Sequence, residues 1–129
     1  MKLNLDYLKN IKHHNLYKAN GKPFANCIIY EYPSDEHGEQ VETLHSYNSL
    51  ICAKIVDENG KDKIILNTSL KNNQLLYCYS RTTSMHRNTF LNVDSKQFKE
   101  NMKKGVYEMR ELWQEKKNDK TNLCDCEKI

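Results

Sequence analysis

Tyr77-Cys78-Tyr79-Ser80-Arg81-Thr82-Thr83-Ser84-Met85-His86-Arg87-Asn88-Thr89-Phe90-Leu91 is the stretch on which the fold turns. Its first residues close an aromatic strand, Gln74 to Ser80, and its last ones form a short helix over 83–93. The corner between them is rich in hydroxyls: Ser80, Thr82, Thr83 and Ser84. A helix start leaves its first backbone N–H groups without intrahelical acceptors, and a Ser or Thr oxygen supplies one. Thr82 or Thr83 is the expected cap. At 100° per residue, Met85, His86, Thr89, Phe90 and Val93 share one helix face, with Arg87 on the opposite side.

Upstream of this corner the chain reads as β-structure. Residues 24–32, 41–47, 50–56 and 63–66 are rich in aromatic and β-branched types, which suit a pleated surface. Asn59-Gly60, between Ile55-Val56 and Ile64-Ile65, predicts a two-residue hairpin turn with positive φ at both positions. Nothing between these segments is long enough to require a parallel crossover, so an antiparallel meander is expected. Leu5, Leu8 and Ile11 give residues 3–11 near-helical spacing, and Asn20-Gly21-Lys22-Pro23 reads as a turn.

Downstream, Asp94 or Ser95 opens a second helix. Phe98, Met102, Val106, Met109, Leu112 and Trp113 form an apolar stripe that predicts a long amphipathic helix over 95–117, about 34 Å in length. Gly105 falls inside the stripe. Lys96, Lys99, Lys103 and Lys104 crowd its first half and Glu108, Glu111 and Glu115 its second, the reverse of what the helix dipole favours. The fold expected is α+β in one domain: a four- to five-stranded antiparallel sheet over 24–80, with the 83–117 helices packed on one face. Residues 1–23 form an N-terminal helix and turn, and 118–129 a flexible tail.

With 129 residues and a mean hydropathy of −0.87, the core is modest and the surface polar. The longest apolar run is too short to span a bilayer, and residues 1–6 lack the apolar stretch of a signal peptide. A soluble chain in the cytoplasm of a bacterial host is expected, without membrane contact. Five cysteines fit that compartment as free thiols. Cys27, Cys52 and Cys78 lie in strand segments. Cys124 and Cys126 form a lone C-x-C without the four ligands a zinc site needs, so neither metal nor cofactor is expected.

The net charge of +3 conceals alternating blocks. Residues 31–62 carry eight acids and two lysines, whereas 63–104 carry eight bases and two acids. Such blocks predict separate acidic and basic surfaces rather than one polyanion-binding stripe.

Catalytic motifs are missing: there is no G-x-S-x-G, H-E-x-x-H, P-loop or G-x-G-x-x-G. A Cys-His dyad from Cys78 with His45 or His86 would need an accessible, electropositive thiol, and Cys78 sits within strand residues. His86 reads more simply as a hydrogen-bonded core residue, and His13-His14 as surface residues. The Tyr30/Tyr32 and Tyr77/Tyr79 pairs are core if their sheet face is covered. If it is open, beside Arg81 and Arg87, they form a platform for stacking single-stranded nucleic acid.

Ser46-Tyr47-Asn48-Ser49-Leu50-Ile51-Cys52, then Tyr79-Ser80-Arg81-Thr82-Thr83-Ser84-Met85-His86 with Phe90-Leu91, resembles a small uncharacterised domain of phages and mobile elements in low-GC bacteria. Its pattern is S-Y-x-[ST]-x-[VI]-A followed by Y-S-x-T-T-x-x-H-x-x-x-F-L. The likeness covers residues 44–91; Cys52 replaces the usual alanine, and Met85 stands where a basic residue is common. It implies a strand-rich unit ending in a helix, and a mobile-element setting. No catalytic residue comes with it.

Two functions are therefore expected in order. The first is a non-catalytic inhibitor, anti-CRISPR-like, that binds a host protein or ribonucleoprotein complex through Asp35, Glu36, Glu39 and Glu42. The second is a nucleic-acid-binding regulator using Arg81, Arg87, Lys96, Lys99 and Lys103.

Overall fold

The computed structural model describes residues 11–34 and 38–112. Five strands form the meander: β1 (Lys12–Tyr17), β2 (Pro23–Tyr32), β3 (Gln40–Ser46), β4 (Ser49–Val56) and β5 (Asp62–Asn67). Each pairs antiparallel with the next. A small hairpin follows, β6 (Leu70–Lys71) with β7 (Gln74–Leu75), then a 3₁₀ turn, Leu76–Cys78. Helices α1 (Arg81–Leu91) and α2 (Ser95–Lys103) come next, and β8 (Glu108–Arg110) closes the sheet by pairing parallel with β5. The sheet order is β1-β2-β3-β4-β5-β8. The fold is α+β with a mostly antiparallel sheet, and the core joins Cys27, Ile29, Leu44, Ile51, Cys52 and Leu66 to Leu76, Phe98 and Tyr107.

Six strands replace the four or five expected. The extra ones sit at the edges, where polar residues mask the strand signal. β1 is Lys-His-His-Asn-Leu-Tyr, exposed along nearly its whole length, as edge strands that resist further pairing often are. Residues 12–17 are therefore sheet rather than part of a helix and turn. Of the helix expected over residues 3–11 all but Ile11, which is not helical, and of the tail over 118–129 every residue, lie outside the described residues.

The long helix over 95–117 is not formed. α2 ends at Lys103, and the chain reverses at Gly105, φ +72°. The N–H of Gly105 donates to Met102 C=O at 3.2 Å and the N–H of Val106 to Asn101 C=O at 3.0 Å. Those two bonds are the Schellman closure, which needs a left-handed residue that glycine adopts without strain. Tyr107 then turns inward and stacks on Phe98, centroids 5.2 Å apart. The apparent conflict with the dipole shrinks as well, to Lys96 in the first turn. Lys103 and Lys104 stand at the C-terminal end, where positive charge is favoured, and Glu108 belongs to a strand.

The expected strand Gln74–Ser80 is only two residues long. Asn72 and Asn73 both take left-handed φ, 53° and 65°, which makes the hairpin tight. Leu76 then buries itself, its N–H donating to Ser69 C=O at 3.0 Å, and Cys78 is exposed rather than in a strand. Cys27 and Cys52 are buried, and burial pushes both thiols up to about 12, so neither is reactive. At Asn59-Gly60 only Gly60 has positive φ, +80°. Its N–H donates to Asp57 C=O, and the Asp57 N–H to Lys61 C=O, giving a three-residue loop instead of a two-residue one.

The cap of α1 is Ser80, not Thr82 or Thr83: Ser80 Oγ accepts from the Thr83 N–H at 3.1 Å. Asp94 caps α2 by accepting from the Gln97 N–H at 2.7 Å. Ser80→Ala is expected to cost about 0.5–2 kcal/mol, read as a drop in urea midpoint. An unchanged midpoint would show that the cap contributes nothing.

Candidate functional site: a hydroxyl-lined cleft

α1 turns a different face inward from the one its apolar residues suggest. Thr83, His86 and Arg87 are buried and Phe90 half-buried, a spacing of 3, 1 and 3 along one side, while Met85 is exposed. Polar residues lie on the inside because each finds a partner there. Arg87 donates from Nη1 to Tyr77 C=O at 2.9 Å and from Nε and Nη2 to Asn88 Oδ1, and its guanidinium lies 3.5 Å from the Phe98 ring centroid. A weakly hydrated guanidinium stacks well on an aromatic face. Arg87 is thus core, not a surface contact for nucleic acid.

The other buried polar residues form a relay. The Thr83 N–H donates to Ser80 Oγ, and Ser80 Oγ donates to Thr83 Oγ1 at 3.2 Å. Thr83 Oγ1 lies 3.2 Å from Ser46 Oγ, which lies 2.8 Å from His86 Nδ1. When each hydroxyl passes its single proton onward, His86 Nδ1 is the final acceptor. Phe24 meets the imidazole edge-on at 4.9 Å and Tyr47 stacks on it at 6.2 Å. Burial holds His86 below the usual imidazole range, favouring the neutral ring. The Ser46–His86 distance is that of a nucleophile and its base, but the relay ends in a helix cap and ties α1 to β3.

His86 thereby couples stability to pH. A histidine whose folded pKa lies below its ordinary 6.5 takes up its proton more readily when unfolded. His45, depressed by burial too, acts the same way; His14, exposed and raised chiefly by its bond to Asn15 C=O, acts oppositely and weakly. The melting temperature is expected to fall as pH drops from 7.5 to 5.5, and less steeply in His86→Gln. A flat profile would contradict this.

The relay is the back wall of a cleft of about 260 Å³ at one end of the sheet. Ile51 and Leu76 are apolar lining, joined by Ser46, Tyr47, Ser49, Lys71, Tyr79, Ser80, Thr82 and Thr83. Ile51 reaches it because it is the extra residue of a bulge, where Leu44 pairs with Cys52 but His45 with Leu50. Three tight features set the rim: the Tyr47-Asn48 turn, the Asn72-Asn73 turn and the Tyr79–Thr83 corner. Asn72 Nδ2 donates to Tyr79 Oη at 2.9 Å, and Lys71 Nζ to Ser49 Oγ at 3.3 Å. Tyr47 adopts φ +52° and remains half-exposed. A bulky side chain in the left-handed region is unusual and costs roughly 1–3 kcal/mol.

The expected acidic contact residues lie away from this cleft. Asp35 and Glu36 fall outside the described residues. Glu39 is exposed, beside the loop where Gly38 approaches Glu58. Glu42 is half-buried at the far end of β3 from Ser46, and its cross-strand neighbours are Glu31 and Lys54, with Lys12 beyond Glu31. Acids and lysines thus interleave across the strands. Arg81 is exposed at the start of α1, and Lys96, Lys99 and Lys103 are exposed on α2, within an arc of about 60°. Among the described residues no cluster of His, Cys, Asp and Glu could hold a metal, and no helix is long and apolar enough to cross a membrane.

Neither Tyr47, Ser49 nor Lys71 stands out as a site residue in the sequence. Ser46–Ser49 and Tyr79–Thr83, 30 residues apart, meet at this cleft, with His86 bonded to Ser46 behind it. No family model, curated protein or solved structure matches the chain.

Proposed function

We propose that this is a non-catalytic binding protein that recognises a protein partner through the Tyr47–Tyr79 end of its sheet. The observation that carries this is the composition and rigidity of that rim. Tyr47, Asn48, Ser49, Asn72, Asn73, Tyr79, Ser80 and Thr82 sit on tight turns tied to one another by side-chain bonds. Tyr, Ser and Asn on fixed loops are the chemistry of antibody-like recognition surfaces. Tyrosine gives large amphipathic contact area with little rotamer entropy to lose, and small polar residues give adaptable hydrogen bonds. A left-handed tyrosine in a turn where Asn or Gly would be unstrained fits a residue kept for what it touches.

In the mobile-element setting that the resemblance implies, the partner is a host complex that handles nucleic acid, and the protein acts stoichiometrically as its inhibitor. Glu39 and Glu42, remote from the cleft, then act on association rate rather than on affinity. Affinity capture from host lysate with wild type and with Tyr47→Asn tests the reading.

A second reading has its own support. The exposed lysine ridge of α2, with Arg81, suits contact with a phosphate backbone, and binding to bare RNA or DNA that weakens steeply with salt would favour it.

A further inference from the structure

We infer that the cleft is a receptor for a carboxylate, carried by an acidic side chain of the partner; this rests on the protein-binding reading above. None of its ten lining residues is acidic, and Lys71 meets no carboxylate within ion-pair distance among the described residues. Lys71 is half-buried and, among the described residues, hydrogen-bonds through Nζ to Ser49 Oγ alone, at 3.3 Å. An ammonium partly withdrawn from water beside an anion-free wall attracts negative charge from elsewhere.

The hydroxyls point to the same ligand. Tyr79 Oη accepts from Asn72 Nδ2, which leaves its own proton for the cleft. Ser49 Oγ accepts from Lys71 and is likewise left with a proton to give. Ser46, Ser80 and Thr83 spend theirs inside the relay. The cleft therefore presents donors in excess: one ammonium and the O–H groups of Ser49 and Tyr79, with Thr82 at the rim. Two or more oxygens on one carbon satisfy such a set.

Charge and size select among oxyanions. A phosphate monoester carries nearly two charges and is usually held by arginine clusters. Lys71 is the one cation among the ten lining residues, Arg81 being exposed outside them, and the nearby Arg87 is committed to Phe98 and Tyr77 C=O. A single negative charge matches. The Ile51 and Leu76 surfaces suit the methylene arm of a glutamate or aspartate, and 260 Å³ accommodates a side chain of that size.

The test uses the full chain labelled with ¹⁵N, titrated at constant ionic strength with sodium propionate and, separately, inorganic phosphate. Propionate is expected to give saturable shifts at the amides of Ser49, Lys71, Tyr79 and Thr82. Lys71→Met and Tyr79→Phe are each expected to weaken that binding by about tenfold. No saturable shift, equal binding by both variants, or saturable binding of phosphate alone would overturn the inference. The two readings fail separately. Partner capture that survives Lys71→Met but not Tyr47→Asn removes the carboxylate and leaves the protein-binding reading. Propionate binding with capture indifferent to Tyr47→Asn does the reverse.

Discussion

Phe98→Ala is expected to destabilise the fold by about 3–5 kcal/mol, with a further contribution from Arg87. Phe98 is buried, stacks on Tyr107 at 5.2 Å and lies 6.5 Å from Tyr77 by ring centroids. Truncation removes that packing and leaves a cavity. It also strips the aromatic face from a buried guanidinium that has no ion pair among the described residues. A desolvated cation–π contact contributes about 2 kcal/mol. Against a total stability of roughly 5–15 kcal/mol for a domain, the variant should lose about a third of its stability or more. Phe98→Tyr, which keeps the ring, should be far milder. Urea denaturation measures both, and a loss below about 1.5 kcal/mol for Phe98→Ala would mean that Arg87 is not held as described.

Asn67→Leu should be comparably severe for a different reason. Asn67 is fully buried at the end of β5, where one amide serves three chain segments. Its Nδ2 donates to Leu50 C=O at 2.7 Å, and its Oδ1 accepts from the N–H groups of Ser69 at 3.0 Å and Leu112 at 2.9 Å. Leucine keeps the branching at Cγ but is larger and has no polar atoms, so all three bonds are lost and the fully buried site is overpacked as well. Each backbone group deprived of its bond in the interior costs about 1–3 kcal/mol, so the three together cost about 3–9 kcal/mol. Because Asn67 joins the bulged β4 to both the 68–69 segment and the end of β8, hydrogen exchange should quicken in those segments first. A variant within about 1 kcal/mol of wild type would show that water replaces the amide.

These two residues mark where the sequence could be read and where it could not. The meander was legible in Phe24–Tyr32, Val41–Tyr47, Leu50–Val56 and Lys63–Leu66, because half-buried strands between turn residues carry period-two patterning. The edge strands were not. β1 is polar over Lys12–Asn15, with Leu16 alone packed against the core, and β8 is Glu-Met-Arg, held by pairing with β5 and by the Lys63–Glu108 ion pair at 3.0 Å. Gly105 mattered more. In a one-dimensional pattern it is a tolerated gap in an apolar stripe, yet its left-handed φ ends α2 and sends Tyr107 into the core. Arg87 was missed because hydropathy places a guanidinium outside, whereas Phe98 gives it a ring to lie on. The cleft needed both segments at once. Ser46 and Thr83 are 37 residues apart, and only their 3.2 Å contact makes them parts of one wall.

The central claim, that Tyr47 is held in a strained turn for recognition, is tested most directly by Tyr47→Asn. Asparagine tolerates φ near +52° far better than tyrosine does. The strain relieved and the stacking on His86 lost are of similar size, about 1 kcal/mol each. The melting temperature should therefore hardly move. Capture from host lysate, quantified by mass spectrometry with both forms immobilised at equal density, should separate the two effects. Wild type is expected to retain a protein that Tyr47→Asn retains about 30-fold less, the size of a 2 kcal/mol interface hot spot. Identical retention by two equally stable forms would contradict a recognition role for Tyr47.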